Sequence, residues 1–420
     1  MVYVINKNGK PLMPTNRYGK VRHLLKNKQA KVIRKTPFTI QLLYETTNYI
    51  QDINLGVDAG SKHIGISATT EKDVLFEADI ELRNDIVDKL STRREARRTR
   101  RNRKTRYRQL RFLNRVRTKK KGWIAPSIQH KIDTHLSIIE FVHKLLPISK
   151  IIVEVASFDI QKLKNSNIKG KEYQEGEQLN FWNVREYVLF RDDHTCQCCK
   201  GRSKDKILNV HHIESRKVGG NAPNNLITVC KTCHDAFHEG RIKLPKNIKR
   251  GMKFNDAAFM GIMRWAFYNK LKDVYSNVSL TFGYITKNTR IENNLPKEHY
   301  VDARCISGNP KANTDKCNNI VYYFKKIRRH NRQIHKFVPN KKGIRQNNQS
   351  PYKLFNFRLF DKVNYKGQKC FITGRRKSGY FCLKDINNNL IGNGSVSYKK
   401  LQFIESASSF IIQPINVSLV

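Results

Sequence analysis

Apolar and polar positions change period several times along the chain, and each change marks an element. Val2–Ile5 alternate as a strand ahead of the hairpin-turn pair Asn8-Gly9, and a basic helix over about 16–26 and a strand across Ala30–Leu43 complete a small α/β unit. Ile53, Leu55 and Val57 alternate into Asp58, and Gly60 permits a tight turn before a strand at Ile64 and Ile66. That places Asp58 at the tip of a buried hairpin. Apolar spacing at Ile132, Leu136, Ile139, Val142 and Leu145 predicts a helix capped by Ser127. The run KIIVEVAS then has the β-branched, almost wholly apolar character of a central strand in a covered sheet. Further on, 255–274 reads as an amphipathic helix, 278–285 as a strand, and LPKEHYVDARCIS as a helix buried through Val301, Ala303 and Ile306. Short alternating runs at 357–363, 368–374, 379–383, 390–391 and 395–404 predict a small β-barrel at the C-terminal end.

One stretch fits none of these patterns. About half of the residues from Arg93 to Lys121 are Arg or Lys, Glu95 is the single acid, and neither Pro nor Gly interrupts before Gly122. Read as one helix it would be about 44 Å long. Its front half is basic on every face, and like charges three and four residues apart each cost ~0.2–0.5 kcal/mol, so a polyanion is the natural partner. Tyr107, Leu110, Leu113 and Val116 form an apolar stripe only near its end. The whole 420-residue chain carries a net charge of +47, which predicts nucleic-acid binding with a steep salt dependence. No apolar run is long enough for membrane insertion, and MVYVINKNGK lacks the apolar core of a signal peptide, so a cytoplasmic protein is expected. Five of the nine cysteines lie between Cys196 and Cys233, a metal-site distribution for a reducing compartment.

Candidate chemistry comes from two sets of residues. Glu154 interrupts the apolar strand, where a carboxylate is expensive unless it meets a metal or a cation. His299 and Asp302 stand at i, i+3 on one helix face. Asp58, Glu154 and Asp302, drawn from two strands and a helix, are a donor set suited to two-metal phosphodiester cleavage with Mg²⁺. His299 could add a ligand or handle a proton.

The second set is a cassette. Cys196-x-x-Cys199 and Cys230-x-x-Cys233 are two knuckles for tetrahedral Zn²⁺, with Cys198 a spare. Between and beyond them, adjacent His211 and His212 on a strand, Asn225 before a second strand, and His234 and His238 at i, i+4 on a helix form a ββα-metal, or HNH, nuclease pattern. Adjacent strand residues point oppositely, so His211 with His234 or His238 would hold the divalent ion (Mg²⁺) while His212 acts as general base. Asn225 would brace the loop.

Together these motifs resemble the IscB family, transposon-encoded (OMEGA) RNA-guided DNA endonucleases. The resemblance runs along essentially the whole chain: Pro11-Leu12-Met13-Pro14, GVDAGSKHIGIS, the RRxxRRxRR stretch, Gly122-Trp123, IIVEVASFDIQKL, the HNH cassette, HYVDA, RRHNRQIHK and KCFITGRRKSGYFCLKD. It implies an α/β multidomain protein with a split RNase H-like (RuvC) core, an arginine-rich bridge helix, an inserted HNH domain and a C-terminal small β-barrel. The expected divisions are a PLMP domain at 1–50, RuvC segments at 51–90, 122–165 and 246–308, and a bridge helix at 91–121. A linker with the HNH domain would occupy 166–245, a basic segment 309–350, and a barrel that reads the target-adjacent motif 351–420. The RuvC site would be Asp58, Glu154, His299 and Asp302, cutting the displaced strand, and the HNH site would cut the guide-paired strand. The bridge arginines Arg93, Arg94, Arg97, Arg98, Arg100, Arg101, Arg103 and Arg106 would bind a noncoding guide RNA. Arg375 and Arg376 are candidate contacts to the double-stranded DNA target. A monomeric ribonucleoprotein, associated with the prokaryotic nucleoid when on DNA, is expected. Two other readings explain less. A protein-guided HNH restriction or homing endonuclease leaves the arginine helix and the split acids unexplained, and a non-cutting transposon regulator leaves the metal-ligand sets unused.

Overall fold

The computed structural model describes residues 1–102, 123–155, 183–214, 222–245, 255–328 and 351–417. The chain divides into two compact units, Met1–Ala156 with Met260–Val420, and Ser157–Phe259. The first begins with β1 (Tyr3–Ile5), α1 (Tyr18–Lys26), β2 (Ala30–Arg34) and β3 (Thr39–Leu42), a sheet ordered β1-β3-β2. Where the sequence predicts one strand across 30–43, a turn at 35–38 folds it into a hairpin. Ala30, Ile40 and Leu42 thereby join Val21 and Leu24 in one core. Arg34, at the end of β2, lies over the Phe141 ring at 4.2 Å.

The central element is a seven-stranded sheet. The strands β4 (Asn54–Ala59), β5 (His63–Thr69) and β6 (Val74–Glu81) form an antiparallel meander. The helix α2 (Ile86–Asn102) and α3 (Pro126–His143) precede β7 (Lys150–Glu154), which pairs parallel with β4. Pro126 takes the first helical position, where its missing N–H costs nothing, so α3 starts ahead of the Ser127 cap expected from sequence. Ile53, Leu55, Val57, Ile64 and Ile66 have no solvent exposure, each contributing ~1.5–3 kcal/mol of burial.

The second unit holds α4 (Val184–Arg191), the hairpin β8 (Leu208–His212) and β9 (Leu226–Cys230), and α5 (Lys231–His238). Its small core is formed by Ile227, Val229, Cys196 and Cys230.

The chain then supplies α6 (Asn255–Val274), β10 (Val278–Thr281), α7 (Gly283–Glu292), α8 (His299–Ile306) and β11 (Ile320–Lys326). The strand predicted over 278–285 ends at Thr281, which pairs with Glu154, the last residue of β7, and a helix starts at Gly283. The sheet order is β10-β7-β4-β5-β6-β11-β17, with β10 parallel to β7 and β11 parallel to β6.

Near the C-terminus β12 (Lys362–Tyr365), β13 (Gln368–Arg375), β14 (Tyr380–Lys384), β15 (Leu390–Ser397) and β16 (Gln402–Glu405) pair in the order β15-β14-β13-β12-β16. The expected barrel is therefore an open antiparallel sheet with β15 and β16 as edges. The runs at 390–391 and 395–404 also differ from expectation: β15 continues through Gly392, Asn393 and Gly394, all with positive φ, which absorb a register irregularity. The final strand, β17 (Phe410–Asn416), returns to the seven-stranded sheet against β11.

Candidate functional sites

Strand register assembles the carboxylate set. Asp58 follows Gly56 by two residues and therefore shares its face, and it pairs across to Gly65 on β5. In the parallel pairing Gly56 stands beside Ile152 and Val57 beside Val153, so Glu154 lies on that same face next to Asp58. The helix α8 lies on the glycines. A Cβ on Gly56 would stand 1.9 Å from the Ala303 carbonyl oxygen, and one on Gly65 would stand 1.8 Å from that of His299. Two missing side chains thus let α8 approach the sheet backbone closely enough to deliver His299 and Asp302 over Asp58.

Each acid meets a cationic or proton-donating side chain. His299 Nδ1 donates to Asp58 Oδ2 at 2.8 Å. Arg264 Nη2 lies 3.2 Å from Glu154 Oε1, while its Nε donates to the Ala59 carbonyl at 2.9 Å. Arg290 Nε lies 3.0 Å from Asp302 Oδ1. The rings of His63 and His299 stack flat, 5.4 Å between centroids and 2° between planes, and His63 Nδ1 donates to Asp79 Oδ1 at 2.9 Å. Burial, followed by the charge on Asp58, raises the pKa of both Glu154 and Asp302. His299 is raised chiefly by its hydrogen bond to Asp58. A site in which burial and the Asp58 charge disfavour ionisation of Glu154 and Asp302 demands positive charge, and hard oxygen donors fit Mg²⁺. Among the described residues, these acids do not converge within 4.8 Å as the two groups below do.

The four residues expected from sequence are therefore brought to one place, and four partners were missed. Arg264 carried a signal, being a charge within the apolar run of α6, which requires a buried counter-charge. Arg290, His63 and Asp79 carried none, because only the register and the seating of α8 bring them in.

In the second unit the four thiols of Cys196, Cys199, Cys230 and Cys233 lie within 4.8 Å of one another. Cys199 Sγ and Cys230 Sγ are 3.8 Å apart, and a zinc tetrahedron with ~2.3 Å bonds has edges of about 3.8 Å. The set is compatible with zinc. Cys198 stands outside it, as expected.

Donor nitrogens of His211, His234 and His238 likewise gather within 4.8 Å. Sequence left open which of the last two joins His211, and both do: i, i+4 spacing on α5 puts them on one face opposite β8. Burial, then the neighbouring imidazoles, lowers the His211 pKa to about 4, so its ring is neutral with a free lone pair at neutral pH. A set of three imidazoles fits a divalent transition-type ion with open positions. His212, one residue on, lines an open pocket of about 600 Å³ with His234, Asn183, Arg185, Asn209 and Leu226. Asn225 is buried and clips the loop after β8: its Oδ1 accepts from the Glu214 N–H at 2.8 Å and its Nδ2 donates to the Glu214 carbonyl at 3.0 Å. Arg191 secures the other side, donating to the Pro223 and Leu226 carbonyls at 2.8 and 2.9 Å.

Of the predicted nucleic-acid contacts, Arg93, Arg94, Arg97 and Arg98 are exposed along α2. Arg100 and Arg101 continue the helix, their side chains outside the described residues, as are Arg103, Arg106 and most of the predicted 93–121 rod. Arg375 differs from expectation. Its guanidinium donates to the carbonyls of Pro351, Tyr352 and Phe357 at 2.8–2.9 Å and ties that segment to β13. Arg376 is exposed and donates to Ser395 Oγ at 3.1 Å.

Comparison with known families is decisive at this point. Residues 2–176 match the RRXRR protein family, and residues 196–240, which carry both metal-ligating groups of the second unit, match the HNH endonuclease family. The chain thus carries an RRXRR region and an HNH endonuclease domain. The HNH domain implies a divalent metal, and the three-imidazole group is where its residues would hold one. Similar solved structures include Streptococcus thermophilus Cas9 in complex with the AGAA PAM, 13% identical over 72% of this chain and 38% of that one, with a TM-score of 0.34. A second is the same organism's Cas9 in complex with the GGAA PAM, 13% identical over 59% and 31% of the respective chains, TM-score 0.32. The chain spans about a third of the length of those proteins. No curated protein matches it.

Proposed function

We propose that this protein is an RNA-guided DNA endonuclease with two separate cutting centres. The observation that carries the reading is the coexistence of two unlike side-chain sets in a chain of net charge +47: carboxylates brought to one place by the seven-stranded sheet and α8, and three imidazoles whose donors gather within 4.8 Å on the ββα hairpin. One set would serve one DNA strand each. The seven-stranded sheet, with a three-strand antiparallel meander and two strands parallel to its first member, is assembled from chain segments that lie on both sides of the second unit, which supports the reading as a split RuvC core. A divalent ion, Mg²⁺ in this proposal, supplies Lewis acidity at the phosphate and lowers the pKa of the attacking water.

The side chains have separable tasks. Asp58, Glu154 and Asp302 hold positive charge beside the displaced strand, and His299, already hydrogen-bonded to Asp58, orients that carboxylate. His211, His234 and His238 do the equivalent for the guide-paired strand. His212, facing the open pocket, takes the proton from water, and Asn225 keeps its strand end in place. Arg93, Arg94, Arg97 and Arg98 bind the guide RNA, which reads sequence by base pairing while the protein reads a short duplex motif. The particle would be a monomeric ribonucleoprotein working in a prokaryotic cytoplasm.

Purification from expressing cells, sequencing of the bound RNA and cleavage of a matched duplex test this directly. One defined RNA and loss of cutting after its removal are expected. A stripped polypeptide that cuts the same locus as well as the loaded particle would refute RNA guidance.

A further inference from the structure

We infer that Phe282, Tyr284 and Lys287 form a stacking platform for the nucleobases that flank the phosphodiester cut at the carboxylate centre; the inference rests on the DNA-cutting role proposed for that centre. The chain passes over Glu154 at Gly283: a Cβ there would lie 3.1 Å from Oε1 and 3.4 Å from Cδ of the carboxylate. Glycine is what allows this approach, and it fixes the two residues on either side, each one 3.8 Å backbone step away, at the mouth of the centre. Both are aromatic and neither is used by the core. Phe282 is 39% exposed and Tyr284 66%, and their rings lie nearly parallel, 11° apart with centroids 6.2 Å from each other.

An exposed tyrosine beside catalytic-type acids has no folding role to explain it, since two-thirds of its surface is left in water. Base stacking explains it. Proteins that hold single strands without sequence preference use exposed aromatic faces with cations alongside. Lys287 provides the cation: it is exposed and stands three residues beyond Tyr284, on the same face of α7. No acid occurs in this helix before Glu292, so the helix itself adds no negative charge to that of the carboxylate centre beneath it. A nucleotide whose phosphate lies at the carboxylate centre, where a bound divalent cation would hold it, has its base within one nucleotide's reach of these rings. That proximity favours the strand being cut over the guide RNA as the occupant.

The test uses the RNA-loaded protein and a matched duplex, each strand labelled in turn, with or without an abasic residue flanking the wild-type cut position on the displaced strand. Tyr284→Ala is expected to slow displaced-strand cutting about 5- to 150-fold, the range of one lost base stack, and to leave the guide-paired cut unchanged. Tyr284→Phe should cut within about twofold of wild type, because it keeps the π face. The abasic substrate should slow wild type by a similar factor and should not slow Tyr284→Ala further. Wild-type cutting by Tyr284→Ala, or an abasic penalty that multiplies with the substitution, overturns the platform. Equal loss of both cuts with reduced bound RNA assigns the rings to the guide and overturns it too. Asp58→Ala separates the two levels. If it abolishes the displaced-strand cut while Tyr284→Ala does not slow it, the platform alone fails; if it leaves that cut intact, the reading of the centre fails.

Discussion

Gly65→Ala replaces one hydrogen by a methyl group, and at this position that is enough to dismantle one cutting centre. The new Cβ would stand 1.8 Å from the His299 carbonyl oxygen and 2.3 Å from its carbon, both backbone atoms that no rotamer change can move. Ordinary contact begins at 3.4 Å, so the start of α8 must retreat by about 1.5 Å. His299 would then lose its 2.8 Å bond to Asp58, and Asp302 would move with it. A 1 Å misplacement of catalytic groups can cost about 10²-fold in rate. Overpacking of this kind also costs ~1–3 kcal/mol of stability, which a domain of this size survives. With a strand-labelled duplex and the RNA-loaded protein, displaced-strand cutting should fall at least about 100-fold while guide-paired cutting stays within about twofold. Gly261→Ala is the control: nothing lies within 4 Å of its Cβ, and alanine in a helix is favoured by ~0.5–1 kcal/mol. A folded Gly65→Ala protein that cuts both strands at the wild-type rate would refute the close approach of α8 as the device that builds the site.

Four further outcomes are expected. Asp58→Ala and His212→Ala should each leave a nickase, for opposite strands, on strand-resolved gels; loss of both cuts from either change would argue against independent centres. Cys230→Ser should release the bound metal, about one zinc per chain by elemental analysis, and abolish the HNH cut while the first unit stays folded by circular dichroism. Retained zinc would remove Cys230 from the ligand set. Burial holds His135 neutral with its pKa lowered to about 4, against about 6.5 when unfolded. Because the folded value is the lower one, that contribution is complete above pH 6.5 and is lost as pH falls toward 4, by roughly 3 kcal/mol. Thermal melts across that window should be flatter for His135→Leu, and an unchanged slope counts against the account. Replacing Arg93, Arg94, Arg97 and Arg98 by Gln should lower the salt slope of RNA binding by about 3. RNA retained at wild-type salt would show that these arginines make no phosphate contacts.

Much of the site was legible because its chemistry is local in sequence. Two cysteine knuckles, adjacent histidines on a strand and a histidine pair at i, i+4 specify their geometry through periodicity alone, and the thiols and imidazoles gather accordingly. A carboxylate inside an apolar strand is visible for the same reason, since its cost has to be met somewhere. The expected barrel shows the limit of such reading. Alternation marks β12 to β16 as strands, yet whether two edges meet depends on twist and pairing partners, and β15 and β16 remain edges. Arg375 shows another limit: a cation at a strand end looks like a nucleic-acid contact until three carbonyls are found around it.

The amino-acid order by itself determined which residues could bind metal, which stretches form most of the strands and helices, and that the chain carries a large excess of positive charge, because donor type, period and charge are properties of short segments. Only the tertiary structure decided that Asp58, Glu154, His299 and Asp302 come to one place, that Arg264 and Arg290 guard Glu154 and Asp302, and that Phe282 and Tyr284 flank Gly283 where the chain passes over Glu154. Those facts come from strand register and from a helix seated on two glycines, contacts between segments up to about 240 residues apart whose distance no local pattern encodes.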